Sequence, residues 1–163
     1  MLTIDVLVLE LQGNLLDVIL MCVRAALINT EIPKCKVESI DGIYDFDISD
    51  DEIVGIEGAA DLGVGVTLSF IGGDLVIDTN LEEESCADAS VCIIIGKTNN
   101  LPVVCGIQKL GNGSMNPSVL QEMLQVSRQI GIENIESIDE YLAEEQSARH
   151  NDATPLGFYN IKQ

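Results

Sequence analysis

Four carboxylates lie close together near the middle of the chain, and their types and spacing could support chemistry. Asp78 ends an apolar, strand-like stretch, and Glu82, Glu83 and Glu84 follow it within a run of seven residues. Such a group could hold a divalent cation, which prefers carboxylate oxygens, or it could supply an acid and a base. The same run could be a solvated turn that starts a helix, because the first backbone amides of a helix favour acidic side chains. The residues of the run leave both interpretations open.

Three further patterns have residue types that could form a site. The loop at residues 111–114 is rich in glycine, but it lacks the Lys and Ser/Thr of a phosphate-binding P-loop, which favours a plain turn. The acids at residues 45–52 lack the glycine and glutamate spacing of a calcium-binding EF-hand. No cysteine belongs to a CxxC pair and most lie in apolar runs, which predicts buried free thiols in a reducing compartment. The five cysteines are Cys22, Cys35, Cys86, Cys92 and Cys105.

The charge balance restricts the partners. The chain has 163 residues, 27 acidic against 8 basic, for a net charge of −19. The basic residues are scattered, whereas contacts to nucleic-acid phosphates need clustered Lys and Arg. We therefore expect neither independent nucleic-acid binding nor attachment to an anionic membrane. Hydrophobic residues make up 47% of the chain and tryptophan is absent, so we expect a core built from Val, Ile, Leu and Ala.

The first 33 residues predict one strand and one helix. Residues 3–11 alternate and are rich in β-branched side chains, which is typical of a strand. Residues 15–29 predict a strongly apolar helix, with Asn14 as its N-cap and Asp17 as a capping-box acid. One strand and a helix this apolar cannot bury themselves. Residues 1–33 are therefore expected to be the end of a larger, truncated domain.

The rest of the chain predicts a linker and a second domain. Residues 34–63 predict an acidic, irregular linker with one short strand at 37–40 and an exposed loop at 41–52. Residues 64–135 predict a domain of four strands closed by a helix, and residues 136–163 a C-terminal helix and a polar tail. The predicted elements of this domain are strands at 64–71, 75–78, 89–96 and 103–109, turns at 72–74 and 99–100, and a helix from Pro117 to about 130.

Two blocks of the sequence resemble the RNase PH-like proteins. Residues 9–17 and 25–33 are similar to the end of the first domain of that family. Segments similar to its second domain lie at 66–67, 71–72, 76–79, 81–84 and 109–114. The resemblance is greatest to the RNase PH-like subunits of the exosome ring.

This resemblance implies the fold class and the partners. The fold would be mixed α/β, with a layered mixed sheet packed with helices, a partial first domain and a complete second domain. The partners would be other RNase PH-like subunits in a hetero-hexameric ring. RNA would thread the channel of that ring and pass to separate nucleases, so this chain would meet RNA only indirectly.

The phosphate loop departs from the pattern of the active family members. Those members carry Gly-Thr-Arg or a similar Ser/Arg pattern at the start of the helix that here begins at Leu15, where an anion meets a positive helix end. Gly13, Asn14 and Leu15 occupy that loop here and provide neither an arginine nor a hydroxyl. Asp17 is expected to repel phosphate. The resemblance therefore marks these residues as a degenerate phosphate loop.

The carboxylate pair also departs from the family pattern. Active members have an aspartate at the position of Asp78 and a second one at the position of Glu84. The glutamate arm is longer by one methylene, which displaces a charge that catalysis must hold to within about half an ångström. We therefore predict degenerate catalytic positions, no metal site and no cofactor.

The resemblance predicts a non-catalytic scaffold subunit of the exosome ring. It would support 3′-to-5′ RNA processing and degradation through assembly of the ring, in the nucleus, the nucleolus and the cytoplasm. The alternative is a residual phosphorolytic 3′-exoribonuclease that uses Asp78 and Glu84.

Overall fold

The computed structural model describes residues 2–40, 43–99 and 101–150. Its helices are α1 (Leu15–Ile28), α2 (Leu81–Cys86) and α3 (Pro117–His150), with a short 3-10 turn at Ala59–Asp61. Its strands are β1 (Glu31–Ile40), β2 (Ile43–Gly55), β3 (Val64–Ile71), β4 (Asp74–Ile77), β5 (Ala89–Thr98) and β6 (Leu101–Leu110). Met1, the start of the predicted loop at 41–42, Asn100 of the predicted turn and the tail at 151–163 lie outside the described residues.

Strands β3 to β6 form one antiparallel sheet in the order β4-β3-β5-β6, which confirms the four strands expected from the sequence and the mixed α/β class. Because side chains alternate between the faces of a strand, β3 contributes residues to the packing on both faces of the sheet. Val66 and Leu68 join the core beneath α3, together with Ile93 and Met123. Gly65, on the opposite face, lies directly against α1. The sheet is therefore sandwiched between the two long helices.

Helix α3 is continuous over 34 residues, where the sequence predicted two separate helices. The break was expected near Gly131, which instead lies against the sheet. A Cβ atom at this position would come within 2.5 Å of the Cβ of Ile95, so the glycine permits close packing rather than ending the helix. The boundary predicted between residues 135 and 136 falls inside this helix. Within the described part of the chain, no helix has the length and apolar character needed to cross a membrane.

Residues 3–11 do not form the predicted strand. Leu7 and Leu9 expose 82% and 80% of their surface. A strand exists only when a neighbour accepts and donates its backbone hydrogen bonds, and no described strand pairs with this segment. The alternating pattern was therefore insufficient to produce a strand here.

The short strand expected at residues 37–40 lies within β1, but the irregular linker expected around it is wrong as far as residue 55. Residues 31–40 and 43–55 form the two long strands of an antiparallel hairpin, β1 paired with β2. The exposed loop predicted at 41–52 is thus mostly the second strand of the hairpin. Asp45 and Asp47 alternate with Phe46 and Ile48, and such a strand can remain solvated on one face. The consecutive acids at residues 50–52 fall at the register shift between the two strands.

The prediction of buried thiols holds only for Cys92, which lies in the sheet core on β5. The other four cysteines are exposed, because each occupies the solvent side of its helix or strand. These are Cys22, Cys35, Cys86 and Cys105. All five thiols are free.

Candidate functional site

The acidic run meets the loop that precedes α1. The amide of Leu81 donates to the carbonyl of Gln12 over 3.1 Å, and Gly13 pairs with Asn80 as an isolated antiparallel bridge. Gly13 has a φ of +120°, and a Cβ atom there would lie 2.2 Å from the carbonyl oxygen of Thr79. Only glycine fits this contact, because both the conformation and the space exclude a side chain. Two segments that are distant in sequence are therefore in direct backbone contact.

Asn14 joins the degenerate phosphate loop to both carboxylates of the predicted catalytic pair. Its backbone N–H donates to Glu84 Oε1 over 2.7 Å, and its side-chain amide donates to Asp78 Oδ1 over 3.1 Å. Asn14 and Asp78 both adopt left-handed backbone conformations, with φ of 45° and 55°. The structure thus brings together Asn14, Asp78 and Glu84, which the sequence indicated separately.

The acidic run itself starts a helix, as the second of the two interpretations predicted. Asn80 caps α2, accepting hydrogen bonds from the amides of Glu82 and Glu83 at 2.9 Å each. The Glu83 carboxylate accepts from the Asn80 amide in return, which completes a capping box. Among the described residues, no group of three or more His, Cys, Asp and Glu side chains is placed to hold a metal ion.

Asn14 is the N-cap residue of α1, as predicted, but the capping box expected there does not form. Asn14 makes no capping hydrogen bond with its side chain, and Asp17 is buried against β3. The two Asp17 oxygens accept from the backbone N–H and the hydroxyl of Thr67, each over 2.7 Å. Strand β4 pairs only with residues 68–71 of β3, so it offers no acceptor for the Thr67 amide. Asp17 accepts the Thr67 N–H at this open edge of the sheet. The carboxylate that contacts the degenerate phosphate loop is therefore Glu84 rather than Asp17.

A cavity of about 390 Å³ lies beside this junction. Its walls combine the start of α1, one face of β3 and β5, and the loop that follows β6. The lining residues are Asn14, Leu15, Leu16, Thr67, Ser69, Glu84, Ala87, Asp88, Ala89, Ser90, Leu110, Gly111, Asn112 and Gly113. Asp78 and Asp17 are absent from this lining, whereas the loop at 111–113, interpreted as a plain turn, forms part of it.

Sequence reasoning missed the hydroxyl groups of this cavity. Ser69 lies 2.9 Å from the Ser90 hydroxyl and 3.3 Å from the Thr79 hydroxyl, and Thr67 precedes it by two positions on the same face. The sequence does place polar residues at alternate positions of an otherwise apolar strand, and this pattern indicates that one face of the strand lies in a polar environment. The cavity therefore combines neutral hydroxyls with the carboxylates that line it.

The electrostatics of the cavity disfavour anions. None of the described residues that line it is Lys, Arg or His, and two of them, Glu84 and Asp88, are acidic. The buried guanidinium of Arg24 is held elsewhere, by Asp139 and by the carbonyl oxygens of Ala60 and Leu62. Phosphate binding relies on cations and on free amide donors, and the Asn14 amide is already taken by Glu84.

Comparison with known proteins identifies the relatives of this chain. Residues 61–130 match the 3′ exoribonuclease family, domain 2, known as the RNase PH C-terminal domain. A Dictyostelium discoideum protein named as an exosome complex exonuclease, RRP42, is 35% identical over 145 residues, which cover 86% of this chain and 43% of the relative. The exosome complex component Rrp42 of Methanocella arvoryzae is 32% identical over 79% of this chain and 44% of its own length. The Saccharolobus islandicus component of the same name is 31% identical over 85% of this chain and 48% of its own length. The chain thus spans a little under half the length of these relatives.

Proposed function

We propose that this chain, which belongs to the RNase PH-like 3′ exoribonuclease family, is a non-catalytic subunit of an exosome ring. In this role it contributes packing surfaces to a hetero-hexameric ring of RNase PH-like subunits, and the assembled ring processes and degrades RNA from the 3′ end. The names of its relatives, which are exosome components, support a place in such a complex.

One observation carries the non-catalytic part of the proposal. The Glu84 carboxylate accepts the Asn14 N–H at the start of α1, where an incoming phosphate would need an amide donor. Phosphorolysis also needs positive charge to stabilise the attacking phosphate and the developing negative charge. The cavity beside Asn14 is lined by two acidic side chains and no basic one among the described residues. Phosphate is therefore repelled at the position where the reaction would begin.

The net charge of −19 supports indirect contact with RNA. A surface this acidic does not attract a phosphate backbone, so the RNA contacts of the ring come from neighbouring subunits. We place the subunit in the nucleus, the nucleolus and the cytoplasm, and fluorescence microscopy of the tagged chain tests that placement.

Reconstitution tests the scaffold role. Rings are assembled from the RNase PH-like subunits of the same organism with and without this chain, and their mass and RNA degradation are measured. We expect omission to prevent closure of the ring and to lower degradation. Full assembly and full activity without the chain would refute the scaffold role.

The alternative, residual phosphorolysis, is favoured by one observation: Asp78 and Glu84 converge on Asn14. Incubation of the chain with RNA, inorganic phosphate and Mg²⁺ tests it. We expect no release of nucleoside diphosphates. Release that disappears in Glu84→Ala would establish the enzyme instead.

A further inference from the structure

The β1–β2 hairpin stands apart from the rest of the molecule. Its two strands contact each other extensively, and neither has a comparable contact with the four-stranded sheet or with the helices. A two-stranded hairpin is marginally stable in water when no third layer covers it. This hairpin therefore gains stability from any partner that covers one of its faces.

The two faces of the hairpin differ in chemistry. Directly opposed residues of an antiparallel pair point to the same face. Cys35 lies opposite Ile48 and Val37 lies opposite Phe46, which defines an apolar face. The other face carries charges, with Lys36 opposite Asp47 and Glu38 opposite Asp45. We call the first group, Cys35, Val37, Phe46 and Ile48, the apolar hairpin face.

The apolar hairpin face is open to solvent. Val37 exposes 65% of its surface, Phe46 67% and Ile48 54%. Single exposed apolar residues are normal, but contiguous apolar side chains on an otherwise polar element mark an interaction surface. An exposed Phe at the centre of such a patch has the character of a binding anchor, because aromatic side chains bury a large area on association.

The charge of the hairpin indicates what kind of surface it binds. Residues 31–55 contain eight acidic and two basic residues. One basic side chain, Lys34, is paired with Glu52 over 2.6 Å, and the other, Lys36, faces Asp47 across the strands. The excess charge around the patch is negative, so a complementary surface carries Lys and Arg. A second copy of the chain, at −19, would be repelled.

We infer that the apolar hairpin face docks on a neighbouring ring subunit, at an apolar patch bordered by Lys and Arg. The inference rests on the proposed function, because the partner is a subunit of the ring. It adds which element makes the contact and what chemistry the neighbour presents. Phe46 and Val37 supply the buried area, and the acids of the hairpin orient the approach through long-range attraction.

Affinity measurements test the contact with the full chain. The probes are the purified RNase PH-like ring subunits of the same organism, titrated with the wild-type chain, Phe46→Ser and the control Glu38→Gln on the opposite face. We expect Phe46→Ser to weaken binding about tenfold or more, as removal of an interface anchor does, and Glu38→Gln to change it by less than about threefold. Binding of the wild-type chain should also weaken as ionic strength rises.

Labelling of Cys35 gives a second readout that needs no substitution in the apolar hairpin face. The exposed thiols Cys22, Cys86 and Cys105 are replaced by serine, which leaves Cys35 as the exposed thiol of the described residues. We expect its reaction with a maleimide to slow in the assembled ring. Unchanged labelling together with unchanged binding of Phe46→Ser would overturn the docking inference alone. Failure of the wild-type chain to bind any ring subunit would overturn the proposed function with it. Protection of Cys35 by RNA, or by a rising concentration of the chain itself, would also overturn the docking inference.

Discussion

The Arg24 side chain links α1 to α3 and to the turn before β3. A double-mutant cycle with Asp139 measures how much the ion pair between the two residues contributes to stability. The Arg24 side chain is 2% exposed. One guanidinium nitrogen donates to the carbonyl oxygens of Ala60, over 2.8 Å, and of Leu62. The other donates to both carboxylate oxygens of Asp139, at 2.7 and 3.1 Å. The cycle consists of Arg24→Met, Asp139→Asn and the double variant.

The contacts set the expected magnitudes. Unit charges about 4 Å apart attract by about 4 kcal/mol at an effective dielectric constant of about 20. Asp139 is 45% exposed, so solvent screening reduces its attraction to Arg24 to about 2 kcal/mol. Arg24→Met also leaves the Ala60 and Leu62 carbonyls without their donor, at about 1 kcal/mol each. We therefore expect Asp139→Asn to cost about 2 kcal/mol and Arg24→Met about 4 kcal/mol.

The double variant distinguishes this reasoning from a general loss of packing. Once Arg24→Met has removed the guanidinium, the half-exposed Asp139 carboxylate is hydrated, so Asp139→Asn should cost almost nothing further. Urea unfolding of the four chains measures a coupling of about 2 kcal/mol. Arg128→Met, on the exposed face of α3, is the matched control and should change stability by less than about 0.5 kcal/mol. Additive costs for the two substitutions would refute the ion-pair assignment.

Three further outcomes are expected. Gly13→Ala should lower the free energy of unfolding by about 4 kcal/mol or more, because its Cβ would lie 2.2 Å from a carbonyl oxygen. The control Gly72→Ala, at φ +59° in open space, should lower it by about 1–2 kcal/mol. Equal urea midpoints for the two variants would contradict this expectation. Burial raises the pKa of the Cys92 thiol from the ordinary value of 9.0, so the unfolded chain loses that proton first. Stability should therefore fall as the pH rises above about 9, and the fall should be smaller in Cys92→Ala. Asp17→Ala should cost about 3 kcal/mol by thermal or urea unfolding, because two charge-assisted hydrogen bonds to Thr67 are lost; a cost below about 1 kcal/mol would contradict it.

The local sequence pattern was sufficient to predict those strands that form a sheet packed against helices. The strands at 64–71 and 89–98 alternate or run apolar, and the sheet that they form is covered by α1 and α3. The same kind of pattern failed at residues 3–11, because a strand depends on a neighbour as well as on its own residues. It also failed at residues 31–55, where the density of acids suggested a loop although Asp45 and Asp47 alternate with apolar residues as in a strand with one charged face.

Gly131 and Asp17 show why packing was beyond prediction from sequence. A glycine within a helical pattern usually weakens or ends the helix. Here the backbone of α3 approaches Ile95 so closely that no side chain fits, and the packing outweighs the propensity. Asp17 had the correct spacing for a capping box, yet the open edge of β3 provides it with a stronger pair of donors.

The chemical composition of the candidate site is readable from the amino-acid sequence. The loop at residues 13–15 has no arginine or hydroxyl and the second acid of the pair is Glu84, because residue type does not depend on the fold. What these residues do depends on the folded chain. Contact between Gly13 and Asn80 closes the loop, so that the Glu84 carboxylate, 70 positions away, accepts the Asn14 amide that begins α1. An amide can donate its one hydrogen to only one strong acceptor at a time, and here that acceptor is part of the chain itself.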